Sequence, residues 1–271
     1  MGSRQLILYG LSGVIILLAA WVSAAGLFGA DPYEAESAAM AAQARGFDAV
    51  ILFFGLPALA IFTVMAIFGT IRGMLAHAGI LAYFVYAYGS YALGFTVNRF
   101  FLVYVVLFSI SFFAFLLALR DVVDSDIDES VLWEAVVKTT AAVLILVGVG
   151  IFSAWIGPVW EAAAGGTPQI VVETEGHLTA QTLDLGLVAP ASVVVGVLLL
   201  RKNLWGLIFA PILMIKNLAL VGSAVAMTLM MAHPGAPASV AQIVLFALSG
   251  IVLLVVTVWL FISLKWSPGV Y

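Results

Sequence analysis

The chain has 271 residues, of which 65% are hydrophobic and only 9% charged, with a formal net charge of −4. Soluble domains are about half apolar and about a quarter charged, so this composition indicates an integral membrane protein in a lipid bilayer. Its apolar runs of about 20 residues are typical of membrane-spanning helices and not of barrel strands. The sequence holds no cysteine, which excludes disulfides and thiolate metal sites, and no basic cluster that would indicate nucleic-acid binding.

These runs predict an all-α fold, a polytopic transmembrane helix bundle of about eight spans that forms one membrane domain over residues 1–271. The first run is too long for a signal sequence and lacks a convincing cleavage site, so it is predicted to be a retained span. The predicted spans are 6–29, 49–70, 75–96, 100–119, 136–157, 182–200, 204–231 and 239–264.

Lysine and arginine are concentrated on one side of these spans. By the positive-inside rule, this predicts a multi-pass protein of the cell (inner) membrane with a cytoplasmic N-terminus and a cytoplasmic C-terminus. Only Arg45 and Arg99 fall on the outer side, and Lys216 falls within the membrane. The residues on the inner side are Arg4, Arg72, Arg120, Lys138, Arg201, Lys202 and Lys265.

The first outer loop, residues 30–47, is predicted to form a helix of its own. Asp31 is placed as its N-cap, Pro32 at its first helical position and Glu34 as the partner in a capping box. Such an Ala-rich helix is expected to pack over the ends of the spans, and a lid that gates a site is the alternative.

The second long outer loop is predicted to begin where the fifth span ends, at Pro158, and to contain an extended piece over 169–177. His177, Glu173 and Glu175 are spaced too loosely to indicate a metal site. No cofactor is indicated by the sequence.

The inner connection, residues 121–135, holds the densest run of charges, and most of them are aspartates. Their spacing lacks the central glycine of a calcium loop and the repeated motif of prenyl-transferring membrane enzymes. We therefore interpret this acidic inner linker as a solvated connection that caps the fifth span, in preference to a metal-binding motif.

The third predicted span is rich in tyrosine. Tyr83 and Tyr86 lie on one helical face, and Tyr88 and Tyr91 lie on another. Two interpretations stay open, a structural network of hydroxyls bonded between helices and a ligand site.

The seventh predicted span carries Lys216 near its middle, with Asn217 beside it. A cation at bilayer depth costs at least ~2.5 kcal/mol, so a partner or water is expected. Asp184, near the outer end of the sixth span, is the nearest candidate, and a purely structural lysine held by it is the alternative to a functional one. The candidate ligand-binding residues are Lys216, Asn217, Asp184, Arg99, Tyr88, Tyr91 and Asp48.

Arg99 in this set has two interpretations. It either extends to the membrane interface or pairs with an outer acid such as Asp184 or Glu161. No histidine–carboxylate pair, serine nucleophile signature or metal quartet completes a catalytic site, so the sequence argues against an enzyme.

The two halves of the chain share a plan, which predicts a parallel 4+4 internal repeat over about 1–120 and 136–265. Each second span starts with an acid and carries a proline, Pro57 or Pro190. Aligning Gly79 with Gly206 places Lys216 over Gly89. In this repeat, spans two, three, six and seven are expected to form the inner core. The helices that carry the two prolines are expected to be broken there, which leaves backbone carbonyls free to bind water, ions or polar ligands.

Two segments resemble an uncharacterised prokaryotic family of polytopic membrane proteins. They are Asn98-Arg-Phe-Phe-Leu-Val-Tyr-Val-Val-Leu-Phe-Ser-Ile-Ser-Phe-Phe-Ala114, and Leu183-Asp-Leu-Gly-Leu-Val-Ala-Pro190 together with Leu200-Arg-Lys-Asn-Leu-Trp-Gly206. The resemblance covers spans two to seven in outline and implies fold and topology, but no activity. Similar sequences often carry Asn-Pro where this chain has Asn98-Arg99, so the resemblance does not support Arg99 as a shared site residue.

The buried charge favours a transporter or channel-like carrier for a small polar or anionic solute. The alternatives are an accessory or scaffold subunit of a larger complex and a lipid-binding protein without transport. An accessory subunit would dock a homo- or hetero-oligomeric partner through the aromatic span four. That aromatic surface consists of Phe100, Phe101, Phe108, Phe112, Phe113 and Phe115.

Overall fold

The computed structural model describes residues 2–29, 31–125, 134–231 and 240–264, and within these ranges the chain is helical and contains no strand. Lys265 and most of the acidic linker lie outside the described residues. The helices are α1 (Ser3–Phe28), α2 (Ala38–Val50), α3 (Leu56–Ile67), α4 (Ile71–Gly94), α5 (Phe101–Val123), α6 (Glu134–Ala163), α7 (Gln169–Glu173), α8 (Thr179–Leu183), α9 (Ala189–Leu200), α10 (Leu204–Met231) and α11 (Val240–Ser263).

Seven helical segments among the described residues are long and apolar enough to cross a membrane. Two of them are continuous pairs of helices, Ala38–Ile67 and Thr179–Leu200. The prediction of an all-α, polytopic bundle is confirmed. The third predicted span forms α4, a helix of 24 residues that is not among the seven, since its tyrosines and its Arg72 and His77 lower its mean hydropathy.

Helix α2 differs from the prediction for the first outer loop. The helix begins at Ala38, and its N-cap is Ser37, whose hydroxyl accepts a hydrogen bond from the Met40 N–H at 3.2 Å. Residues 31–36 form turns, so the predicted N-cap at Asp31 is wrong. Because the Ala-rich stretch continues into the span without a break, Asp48 lies in the interior of a helix and not at its start.

The helices do not break at Pro57 and Pro190, contrary to the prediction. Each proline is the second residue of a helix, α3 or α9, that directly follows a five-residue π-helical turn, Ile51–Gly55 or Asp184–Val188. A proline has no N–H to bond the carbonyl four residues earlier, and a π-helical turn accommodates this loss within a continuous helix.

The second outer loop is shorter than predicted. Helix α6 continues through Pro158 to Ala163, because a proline near a helix end removes only one hydrogen bond. The predicted extended piece is wrong as well, since Gln169–Glu173 forms the short helix α7. The glycine-containing break between these helices is present, with Gly165 at φ 88°.

The hairpins α3–α4 and α9–α10 share the same local structure at a constant separation along the chain. Both have a turn residue with positive φ, Gly69 at 72° and Lys202 at 53°. A β-carbon on Gly73 would lie 2.4 Å from Met65 C, and one on Gly206 would lie 2.4 Å from Leu199 N. This correspondence pairs Gly73, and not Gly79, with Gly206, so Lys216 corresponds to Tyr83.

Two further helix contacts obey the same correspondence. A β-carbon on Gly46 in α2 would lie 2.5 Å from the Met227 Cα in α10. The corresponding contact joins α8 to α4, where a β-carbon on Gly94 in α4 would lie 2.9 Å from the Thr179 Cβ in α8. Under this correspondence α2 matches α8 and α10 matches α4. The glycine is therefore in α2 in the first pair and in the match of α10 in the second, which is compatible with a two-fold relation. The complete 4+4 repeat stays a prediction.

Helices α4 and α10 occupy the centre of the bundle. In the most apolar stretch of α10, 61% of the residues are buried. The corresponding share is 11% in α6 and 22% in α11. Most residues of α4 are also buried. Burial therefore agrees with the expectation that spans three and seven belong to the inner core.

Polar contacts join the helix ends on the side of Arg4. The Arg4 guanidinium contacts Asp121 at 2.8 Å and Asp124 at 2.9 Å, which ties α1 to the end of α5. Hydrogen bonds from Arg120 and Arg4 lower the pKa of Asp124. A carboxyl group with a lowered pKa stabilises the fold at neutral pH, and this contribution is lost as the pH falls through the folded-state pKa.

Candidate functional site

Polar side chains inside the bundle form two separate groups. The first surrounds Lys216 on α10 and draws on α4, α6, α9, α10 and the π-helical turn between α8 and α9. We call it the Lys216 cluster, and it consists of Lys216, Asn217, Ser192, Tyr86, Asp184 and Trp155.

Lys216 is buried in the middle of α10, with 5% of its surface exposed. Its Nζ atom lies 3.4 Å from the Oδ1 atom of Asn217 and 4.7 Å from the centre of the Tyr86 ring. An ammonium group carries three donors, and a buried charge without close partners is costly. One long contact and one ring face leave much of this donor capacity unused.

Asp184 begins the π-helical turn before α9 and is 8% exposed. Its Oδ1 atom accepts a hydrogen bond from the Tyr86 hydroxyl at 2.9 Å, and its Oδ2 atom accepts one from Trp155 Nε1 at 2.9 Å. Both carboxylate oxygens are therefore held by neutral donors from two different helices.

Tyr86 links the two charges of the cluster. Its ring faces the Lys216 ammonium, and its hydroxyl donates to Asp184. Among the described residues, Lys216 and Asp184 are not close enough for a direct ion pair. The Tyr86 side chain thus contacts Lys216 with its ring face and Asp184 with its hydroxyl.

The remaining polar side chains lie next to the lysine. The Asn217 amide is 3.4 Å from the Ser192 hydroxyl on α9, and both residues are buried. An open depression of about 350 Å³ on the surface reaches Leu183, the neighbour of Asp184, and His177 and Thr179 also line it. Leu183 thus connects the depression to the cluster along the chain, although no member of the cluster lines the depression.

The second group surrounds Asp48 on α2, which is 1% exposed. The Tyr33 hydroxyl donates to its Oδ2 atom at 2.6 Å, and the Tyr91 hydroxyl donates to its Oδ1 atom at 2.9 Å. Tyr91 stacks on Tyr104 at 4.7 Å between ring centres. We call this group the Asp48 cluster, and it consists of Asp48, Tyr33, Tyr91, Tyr88, Tyr104 and Ser23.

The structure divides the predicted site. It brings Lys216, Asn217 and Asp184 together, but it places Asp48, Tyr91 and Tyr88 in the other cluster. Arg99 lies over the Phe100 ring at 4.9 Å, and Asp184 takes its hydrogen bonds from Tyr86 and Trp155. The described contacts therefore divide these residues between two clusters, and whether either cluster binds a ligand stays a prediction.

The sequence did not predict three members of the Lys216 cluster, namely Tyr86, Trp155 and Ser192. Tyr86 and Tyr83 were recognised as one helical face, but nothing in the sequence indicated that this face meets α10. Tyr83 also contacts α10, through a hydrogen bond of 2.8 Å between its hydroxyl and that of Ser223. Trp155 resembled an ordinary interfacial tryptophan, and Ser192 carried no signal at all.

The described residues contain no group of three or more histidine, cysteine or acidic side chains that could hold a metal ion. Glu173, Glu175 and His177 in the second outer loop are among these described residues. Thr174 between them is instead bonded to the backbone carbonyl of Ile170 at 2.7 Å.

We expect Tyr86→Phe to lower the free energy of unfolding by about 1–3 kcal/mol, because it leaves an oxygen of the buried Asp184 without its donor. Thermal unfolding of the purified protein in detergent measures the change. Tyr9→Phe is the matched control, since Tyr9 is half-buried and contacts His77 through its ring. Equal melting temperatures for both variants would contradict a structural role for the Tyr86 hydroxyl.

No family model, no curated protein and no solved structure matches this chain. The clusters themselves are therefore the basis for any functional conclusion.

Proposed function

We propose that this integral membrane protein is a carrier for a small polar or anionic solute, which binds at the Lys216 cluster. The observation that supports the proposal most directly is the under-coordinated ammonium of Lys216 in the core of the bundle. A charged side chain within a membrane span generally marks a pathway or a ligand site. An anionic group of a solute would supply the close acceptor that Lys216 lacks.

The arrangement differs from what a purely structural lysine would require. A structural ion pair places its charges in direct contact, because only a short distance offsets the cost of removing both from water. Here the Lys216 ammonium faces the Tyr86 ring, and two neutral donors, Tyr86 and Trp155, satisfy the Asp184 carboxylate. Each charge therefore keeps some capacity to bind a partner from outside the chain.

A surface depression that lies next to Asp184 along the chain also supports a carrier. The surface depression next to Leu183 lies beside the π-helical turn that begins with Asp184. Irregular helical turns at membrane depth are common where transporters bind their substrates. With both termini in the cytoplasm, as the positive-inside rule favours, this depression opens to the outer side of the cell membrane.

Transport through reconstituted vesicles tests the proposal. Uptake is measured with a panel of labelled solutes that contains monocarboxylates, amino acids and inorganic phosphate. For whichever solute the unaltered protein transports above empty vesicles, Lys216→Met is expected to reduce the flux at least about tenfold, because the methionine keeps the side-chain length but removes the charge.

Lys138→Met is the matched control, because Lys138 is exposed and pairs only with Glu134 one helical turn away. Its flux is expected to equal that of the unaltered protein. The proposal is wrong if Lys216→Met transports normally, or if the unaltered protein moves no member of the panel.

An accessory subunit that docks through span four has less support. Only Phe112 and Phe113 of its six phenylalanines are strongly exposed, and Phe100 is buried. Phe108 and Phe115 pack against the core of the bundle. The aromatic surface on α5 is therefore smaller than the sequence predicted, and the exposed rings are ordinary for a lipid-facing helix.

A further inference from the structure

Three hydroxyl groups in the Asp48 cluster are buried without a hydrogen-bond partner. They belong to Ser23 on α1, Tyr88 on α4 and Tyr104 on α5, and each residue is at most 1% exposed. An unsatisfied buried polar group costs about 1–3 kcal/mol, so three of them around one carboxylate require an explanation.

These hydroxyls surround the carboxylate of Asp48. Ser23 Oγ lies beside both Asp48 and the Tyr88 hydroxyl, without the geometry of a hydrogen bond to either. The Tyr104 hydroxyl lies beside that of Tyr33, which donates to Asp48. Hydroxyl groups from three helices, each without a hydrogen-bond partner, thus lie around one acidic side chain.

The carboxylate also has no cationic partner at contact distance within the described part of the chain. Arg45 is on the same helix, but its guanidinium pairs with Asp31. Tyr33 donates to the Oδ2 atom of Asp48, and the Tyr91 hydroxyl lies within hydrogen-bond distance of both its Oδ1 atom and the Ala44 carbonyl oxygen. A buried ionised carboxylate without a cation is costly, and a bound cation would remove that cost.

From these contacts we infer that the Asp48 cluster is a binding site for a monovalent metal cation, Na⁺. Hard cations bind oxygen ligands, and Asp48, Ser23 and Tyr88 supply carboxylate and hydroxyl oxygens from three helices. Divalent ions are usually bound by several carboxylates, whereas this site has a single acidic group. The ion would neutralise Asp48 and use the lone pairs that otherwise have no partner.

Gly26 in α1 faces the Asp48 carboxylate, and only glycine fits at this position. A β-carbon at this position would lie 2.0 Å from Asp48 Oδ2 and 2.9 Å from the Tyr33 hydroxyl. The backbone of α1 therefore approaches the carboxylate closely and brings Ser23, one turn earlier, against it. The cluster is separate from the Lys216 cluster, so Na⁺ binding does not depend on the proposed transport function.

Equilibrium binding of ²²Na⁺ to the purified full-length chain in detergent tests the inference. Choline chloride keeps the ionic strength constant, and no solute is present. We expect saturable binding of about one ion per chain. Asp48→Asn, which keeps the shape of the side chain but removes its charge, is expected to abolish this binding.

Ser23→Ala and Tyr88→Phe each remove one hydroxyl that makes no hydrogen bond, so both variants are expected to fold normally. Each should weaken Na⁺ binding by about tenfold, since one ligand to a charged group is lost. These two variants decide the matter if Asp48→Asn does not fold. Asp121→Asn, which alters a buried acid at the opposite end of the bundle, is expected to bind Na⁺ like the unaltered protein.

The inference is overturned if the unaltered chain binds no Na⁺ saturably, as expected of a site that holds only a proton or a water molecule. It is also overturned if Ser23→Ala and Tyr88→Phe both bind Na⁺ with unchanged affinity.

Discussion

Replacing Gly26 by alanine is expected to lower the free energy of unfolding by about 2–4 kcal/mol, although alanine is normally the better helix former. The added β-carbon would lie 2.0 Å from Asp48 Oδ2, so the carboxylate must move. That movement breaks the 2.6 Å hydrogen bond from Tyr33. Losing a buried hydrogen bond to a charged group costs about 1.5–3 kcal/mol, which exceeds the gain of about 0.5–1 kcal/mol in helix propensity.

Gly13→Ala is the matched control for this variant. Gly13 lies in the same helix, and a β-carbon there would meet no atom within 4 Å. Alanine at this position is expected to leave the melting temperature unchanged or to raise it slightly. If thermal unfolding shows the same small change for Gly26→Ala, the close approach of α1 to Asp48 is wrong.

Gly206→Ala and Gly73→Ala are each expected to destabilise the protein by at least about 2 kcal/mol. In both hairpins the new β-carbon would lie 2.4 Å from a backbone atom of the preceding helix. Backbone atoms cannot rotate away as a flexible side chain can, so the two helices of the hairpin must move apart. Packing between them is then lost along their length.

The two substitutions also test whether the hairpins are equivalent. They are expected to lower the melting temperature by similar amounts, and the double variant is expected to show the sum, because the glycines lie in separate hairpins. Gly157→Ala is the control, since its β-carbon would have open space. A large effect at one glycine with none at the other would contradict the structural correspondence between the halves.

Hydrophobicity alone identified the long helices of the bundle and their approximate bounds. An apolar run of about 20 residues in a bilayer must satisfy its backbone hydrogen bonds internally, so it forms a helix regardless of its neighbours. Helix α10 was predicted with the bounds it has, Leu204–Met231. The ends of α2 and α6 were predicted less well, because the capping signals at Asp31 do not start a helix and Pro158 does not end one.

The sequence by itself also identified Lys216, Asn217, Asp184 and Asp48 as unusual, because a polar side chain within an apolar run is visible without any structure. Which of them meet was decided only by the tertiary structure. The Tyr86 ring contacts Lys216 while the Tyr91 hydroxyl contacts Asp48. Both tyrosines are on α4, so the division depends on how α2 and α10 pack around that helix. Helix packing is set by side-chain shape and by close glycine contacts, and neither is encoded in the periodicity of one span.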